Sequence, residues 1–173
     1  MSSGVRSRVT APLLTVVGVA VMAWASFAQT TPRLVYNASD SVPIGWYRIG
    51  SAEVPHVGST VLARLPAETA ALAARRGYLP LGVPLLKRIG ATSPQMVCVR
   101  NGIVRIDSIP VAVTLSADGS GRLLTAWSQC RRLRAGELFL LSTTHPASFD
   151  SRYFGPVDTS VVIGQAQPLW TLR

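Results

Sequence analysis

The sequence predicts a mainly β domain behind an N-terminal transmembrane helix, with one short surface helix. Three observations carry this expectation. Runs rich in β-branched and aromatic residues recur between Gly, Pro, Asn and Asp turns, a single soluble helix pattern interrupts them, and an uncharged stretch lies near the start. At 173 residues the chain suits one domain of ordinary size. Its composition is 48% hydrophobic and only 14% charged, which directs attention to a membrane segment.

That segment is Val9–Ala28, VTAPLLTVVGVAVMAWASFA, about the length a helix needs to cross ~30 Å of hydrocarbon. Arg6 and Arg8 precede it, which places the N-terminus in the cytoplasm and everything after Gln29 outside. Ser26 and Ala28 also fit a cleavable signal peptide, while the span length favours retention as an anchor. Both readings export the remainder. The chain thus divides into residues 1–28, a cytoplasmic N-terminus with an anchor or signal segment, and residues 29–173, a periplasmic or extracytoplasmic domain.

After the span, TPRLVYNASDS reads as a short polar connector. GWYRIGSAEVPHVGSTVLARLP alternates turns with strand-like residues. PAETAALAARRG is the convincing helix, with Pro66 near its start, Glu68 in its first turn and Gly77 as its stop. It has little apolar bulk and suits a surface connector. GVPLLKRIGA reads as a strand, and MVCVRNGIVRID as a hairpin whose Asn101-Gly102 pair suits a type I′ turn. A second ribbon is expected in VAVTLSADGSGRLLTAW, centred on Asp118–Gly121, and further strands in ELFLLS and TSVVIGQAQPLW.

Export makes Cys98 and Cys130 candidates for a disulfide, with two buried thiols as the alternative. His56 and His145 lie in turn-like contexts without the partners of a metal site, and no cofactor is implied. The net charge of +9 and the CRRLR run raise nucleic acid as a partner. No recognition-helix pattern or aromatic–basic interleaving accompanies them, so a basic face near anionic headgroups, or a solvated strand end, is the simpler account.

Sixteen of the seventeen basic residues are arginine; the exception is Lys87. Unlike arginine, lysine can lose its proton within an accessible pH range and act as a general base. Strand alternation in PLLKRIG puts Leu85, Lys87 and Ile89 on one face. Desolvation there lowers the amine's pKa from ~10.4, and a base working near pH 8 needs roughly 3 kcal/mol of such bias. An edge-strand lysine that blocks aggregation is the plainer alternative.

A serine can pair with lysine in place of histidine, and the flanking motifs bear on this. SVPIGWY resembles the nucleophile box of type I signal peptidases, and in particular the Ser-x-Pro-x-Gly-x-Tyr form of the TraF-type conjugative transfer signal peptidases. LLKRIGA is similar to the lysine box and SFDSRYFGPV to the late Ser-x-Asp-Ser-Arg-x-x-Gly box, in the correct order behind a hydrophobic span. LLSTTHPAS departs from the Gly-Asp-Asn stretch of the housekeeping enzymes, and the additional β-domain is reduced to the region between Met96 and Trp127.

The resemblance implies a signal-peptidase-like β domain in which Ser41 is the acylated nucleophile and Lys87 its general base. Ser39 joins the Ser41 backbone N–H in the oxyanion hole, Ser148 orients the lysine, and Asp150 and Arg152 form a structural ion pair, projecting together from an extended segment. Pro43 would fix the backbone beside the nucleophile and Gly45 would clear space for an extended substrate. The expected protein is a single-pass enzyme of the inner membrane that cleaves exported preproteins and matures the conjugative pilin, with cyclisation of the product as a further implied step. The competing classes are a non-catalytic secreted β-module in pilus or envelope assembly and a cytosolic self-cleaving repressor. The absence of a helix-turn-helix region and the presence of the span weigh against the repressor.

Overall fold

The computed structural model describes residues 14–24, 33–51 and 56–172, and the chain divides after Pro32 into two compact units. In the first unit residues 14–24 are helical (α1), within the apolar Val9–Ala28 segment whose other residues lie outside the described ones. Among the described residues no helix is long and apolar enough to cross a membrane.

The second unit is mainly β. Its elements run β1 (Leu34–Asn37), β2 (Gly45–Gly50), β3 (Thr60–Ala63), α2 (Ala67–Arg75), β4 (Leu85–Thr92), β5 (Met96–Arg100), β6 (Ile103–Ile106) and β7 (Ile109–Val113). They continue through β8 (Cys130–Arg132), β9 (Glu137–Leu140), α3 (Ser151–Phe154), β10 (Val157–Asp158), a 3₁₀ turn (Thr159–Val161) and β11 (Val162–Thr171). A seven-stranded sheet has the order β1-β2-β11-β3-β4-β9-β10, and a four-stranded sheet the order β7-β6-β5-β8.

The register of β3 against β4 explains the packing around the lysine strand. Val61 faces Lys87 and Leu62 faces Leu86. Cross-strand partners share a face and successive residues alternate, so Leu62 and Leu86 join Val42, Tyr47, Ile49 and Ala166 on one side. Val61 and Ile89 join Ala63, Leu138, Leu140 and Val157 on the other. Both faces of β4 are therefore covered. The small sheet buries Val97, Val99, Val104 and Ile106 against Phe139 and Leu141.

Several sequence expectations carry over into the fold. α2 buries only Ala73, in keeping with a surface connector. Asn101 and Gly102 both have positive φ, at 52° and 76°, as a type I′ hairpin turn requires. Cys98 and Cys130 face each other across the β5–β8 pair and are joined as a disulfide.

Other features differ. The connector before Ser39 is a strand: β1 pairs with β2 from Leu34↔Arg48 to Asn37↔Gly45. The expected ribbon around Asp118–Gly121 shrinks to one bridge, Ala117↔Leu123, because β7 pairs back onto β6. At that turn Asp118 Oδ1 accepts from the Ser120 and Arg122 N–H groups, and its Oδ2 from Arg122 Nε at 2.7 Å. Such local side-chain bonds compete with a β ladder.

Gly45 also has a different reason to be glycine than substrate access. Its φ is +147°, and a Cβ there would lie 2.1 Å from the Trp170 carbonyl oxygen on β11. Close strand packing requires the missing side chain. Gly45→Ala should therefore lose about 1–3 kcal/mol of stability, the usual range for overpacking. Gly50→Ala, where a Cβ meets nothing within 4 Å, serves as the control in urea unfolding. Equal midpoints for the two variants would remove the close-approach explanation.

Candidate active site

Three segments distant in sequence converge on Lys87. Ser39 and Ser41 lie in the loop between β1 and β2, Lys87 lies within β4, and Ser148 lies between β9 and α3. Lys87 is 5% exposed. Its Nζ lies 2.6 Å from Ser41 Oγ and is hydrogen-bonded to Ser148 Oγ. Ser148 Oγ is in turn 3.4 Å from Ser41 Oγ, so the two hydroxyls and the amine form a closed triangle.

Burial shifts Lys87 towards the neutral amine. Burial pushes the Lys87 pKa down to about 8, aided by the Arg152 guanidinium and opposed by the Asp150 carboxylate. At pH 7 roughly a tenth of such amines are unprotonated, a usable fraction for a base. A neutral Nζ offers its lone pair to the Ser41 O–H, and Ser148 fixes the end of a stem that would otherwise rotate.

Asp150 and Arg152 hold Ser148 in place through a different local structure from the extended segment expected. Asp150 is the N-cap of α3, accepting the Arg152 N–H at 3.2 Å, and Arg152 lies inside that helical turn. The pair is bidentate, with Arg152 Nε to Asp150 Oδ1 and Arg152 Nη2 to Asp150 Oδ2 both at 2.8 Å, and both residues are fully buried. Arg152 also donates to the carbonyls of Val113, Pro146 and Ser142. Its five guanidinium N–H groups are all engaged. Asp150 Oδ2 accepts the Ser142 N–H at 3.0 Å, and Ser151 Oγ accepts the Leu140 N–H at 2.9 Å.

Ser39 is exposed, with its Oγ 3.5 Å from Ser41 Oγ. Pro43 is exposed as well, and its carbonyl accepts the Tyr47 O–H at 2.7 Å. Tyr47, 2% exposed, thereby ties the loop that carries Ser39 and Ser41 to the core. Sequence reasoning gave no role to Asn37 or Ser142. The signal for Asn37 was present, since an asparagine two residues before a serine at a turn is an Asx-turn pattern. Ser142 acts through its backbone, which no residue type announces.

The arrangement can pass the Ser41 proton to a neutral amine and present Oγ to an electrophilic carbonyl. The chain is similar to known proteins over most of its length. A family model described as signal peptidase, peptidase S26, matches residues 6–170. The conjugal transfer protein TraF of Agrobacterium tumefaciens (strain 15955) is 34% identical, over 93% of this chain and 96% of that protein. A plasmid transfer protein TraF of Escherichia coli is 30% identical, over 78% of this chain and 81% of that protein. Among solved structures, a signal peptidase I from Enterococcus faecalis V583 is similar with 21% identity and a TM-score of 0.37, covering 66% of this chain and 98% of that one. With the family match running over nearly the whole length and two TraF proteins at 30% identity or more, the chain belongs to the signal peptidase family, peptidase S26, and is TraF-like within it.

Proposed function

We propose that this peptidase is a membrane-anchored serine endopeptidase with a Ser41/Lys87 dyad, cleaving exported preproteins on the outer face of the cytoplasmic membrane. The observation that carries the reading is the 2.6 Å approach of a buried Lys87 Nζ to Ser41 Oγ. Neutral Lys87 takes the Ser41 proton as Oγ attacks the scissile carbonyl. The Ser41 N–H and the Ser39 hydroxyl receive the oxyanion, where one donor is typically worth ~3 kcal/mol. The Lys87 ammonium then protonates the leaving amine, and water deprotonated by Lys87 hydrolyses the acyl-enzyme. Asp150 and Arg152 act as scaffold.

The names of the TraF relatives support a place in conjugation. Maturation of the pilin precursor is the reaction proposed there, with the pilin's own amino terminus resolving the acyl-enzyme where a cyclic product forms. Membrane attachment draws on the apolar Val9–Ala28 segment and on the outer face of the β1–β2–β11 edge. There Leu34, Tyr36, Trp46 and Trp170 are exposed, and the Tyr36 and Trp46 rings pack edge to face at 5.2 Å. Exposed aromatics of this kind suit the lipid headgroup level, and β1 begins soon after the apolar segment ends.

The dyad is tested by cleavage of a conjugative pilin precursor in membranes carrying wild type, Ser41→Ala or Lys87→Arg. Both substitutions should reduce the rate at least ~10³-fold, the scale seen when a member of a nucleophile–base unit is removed. Lys87→Arg keeps the charge but cannot deprotonate, so wild-type rates from that variant would end the dyad reading. The pH profile gives a second check. kcat/KM should rise with pH along a limb centred near 8 and fall about tenfold per unit below it, because only unprotonated Lys87 accepts the Ser41 proton.

Removing the Lys87 amine should move stability in the opposite sense to activity. The folded-state pKa of Lys87 lies below its unfolded value, so burying the charged form costs stability in full below about pH 8, and the cost fades as pH rises towards 10.5. Lys87→Met should be inactive yet more stable at pH 7, by up to ~3 kcal/mol. In urea unfolding that gain should shrink between pH 8 and 10; a gain independent of pH would point to packing alone.

A further inference from the structure

We propose that Asn37 is the positioning residue of the nucleophile loop, acting through one side-chain amide on both Ser39 and Ser41. The assignment rests on the Ser41/Lys87 reading and goes beyond it, because Asn37 has no part in the chemistry itself.

Asn37 ends β1 and is 7% exposed, whereas Ser39 and Asp40 just after it are exposed. The two protons of its Nδ2 are shared among the carbonyl oxygens of Ser39 at 2.7 Å, Val42 at 2.9 Å and Pro43 at 3.1 Å. Its Oδ1 accepts from the Ser39 backbone N–H at 3.2 Å and from Ser39 Oγ at 2.9 Å. One buried amide therefore grips the loop on both sides of Ser41. The two peptide planes that flank the Ser41 Cα, one of them carrying the Ser41 N–H, lie between the Ser39 and Val42 carbonyls.

The chemistry of these partners fixes the amide's orientation. Carbonyl oxygens only accept and a backbone N–H only donates, so Nδ2 must face the three carbonyls and Oδ1 must face Ser39. The Ser39 hydroxyl, which carries one proton, then donates it to Asn37 Oδ1 in the resting site. Ser39 Oγ is thereby held in one rotamer, 3.5 Å from Ser41 Oγ, and its proton moves from Asn37 to the oxyanion when one forms. Tyr47 supports the same loop from the core through its bond to the Pro43 carbonyl. Since a displacement of ~1 Å can cost on the order of 100-fold in rate, an amide that sets both hydroxyls has leverage without touching substrate.

The test uses the full chain in detergent with a conjugative pilin precursor, comparing wild type, Ser41→Ala, Asn37→Ala and Asn37→Asp. Each is assayed at least ~15 °C below its own unfolding midpoint, where the folded form dominates. Asn37→Asp is nearly isosteric and keeps the Oδ1 acceptor, but it sets a carboxylate oxygen against three carbonyls. Both Asn37 variants should lose on the order of 10- to 100-fold in kcat with KM within about threefold, and the aspartate should be no better than the alanine. Either variant within about twofold of wild-type kcat, or a loss confined to KM, would overturn the assignment, as would a loss that vanishes below the midpoint. Cleavage by Ser41→Ala, or none by wild type, would sink the functional reading and this assignment with it, and the control arms register that outcome before any Asn37 variant is compared.

Discussion

The buried Arg152 guanidinium is the contact on which the rest of the site depends. It binds Asp150 bidentately and the carbonyls of Val113, Ser142 and Pro146. Those partners come from β7 of the small sheet, from the loop that leads to Ser148 and from the cap of α3. Removing one member of a buried pair typically costs ~3–5 kcal/mol, because the other charge is left without compensation. Ser148 has no strand to hold it and keeps its place because the loop before it and the helical turn after it are fastened to this pair. The orientation of Lys87 is thus controlled by an ion pair that performs no chemistry.

Lys87 illustrates the reverse relation between structure and function. A strand with both faces covered has little use for an ammonium group, and burial makes the charged form costly. The Asp150 carboxylate recovers part of that cost and the Arg152 guanidinium adds to it. The balance leaves an amine that is mostly protonated at neutral pH yet within about a unit of giving up its proton. Under the proposed function this is the tuning of a catalytic base, at the expense of stability.

Much of this could be read from the sequence where local chemistry decides the structure. The Asn101-Gly102 turn, the Pro66-to-Gly77 helix and the β4 strand follow from residue types at short range. Lys87 stood out because every other basic residue is arginine. What could not be read depends on pairing. β1 is a strand because β2 lies beside it, β7 folds back because β6 lies beside it, and Gly45 is glycine because Trp170 approaches from β11. Asp150 and Arg152 suggested an extended segment, since two residues two apart share a side there. The cap bond from Arg152 to Asp150 makes it a helical turn.

Sheet geometry explains why the dyad required the fold. In the order β1-β2-β11-β3-β4, three interstrand steps separate β2 from β4, or ~14 Å in a flat sheet at the usual spacing. A four-carbon stem cannot cover that distance and also meet Ser41 at 2.6 Å. The sheet must curl, and two of its three register shifts lie between the two groups. β11 shifts register against β2 between Pro168 and Trp170 and against β3 between Val162 and Gly164, and β4 shifts against β9 between Ile89 and Ala91. Bulges bend the strand that carries them and increase its twist. At Gly164 a Cβ would lie 2.2 Å from the Gly50 carbonyl oxygen, so the tight inside of the curl needs a residue without a side chain. Ser41 and Lys87 meet because β11, which contributes neither of them, is bent between β4, which carries Lys87, and β2, into which the Ser41 loop leads.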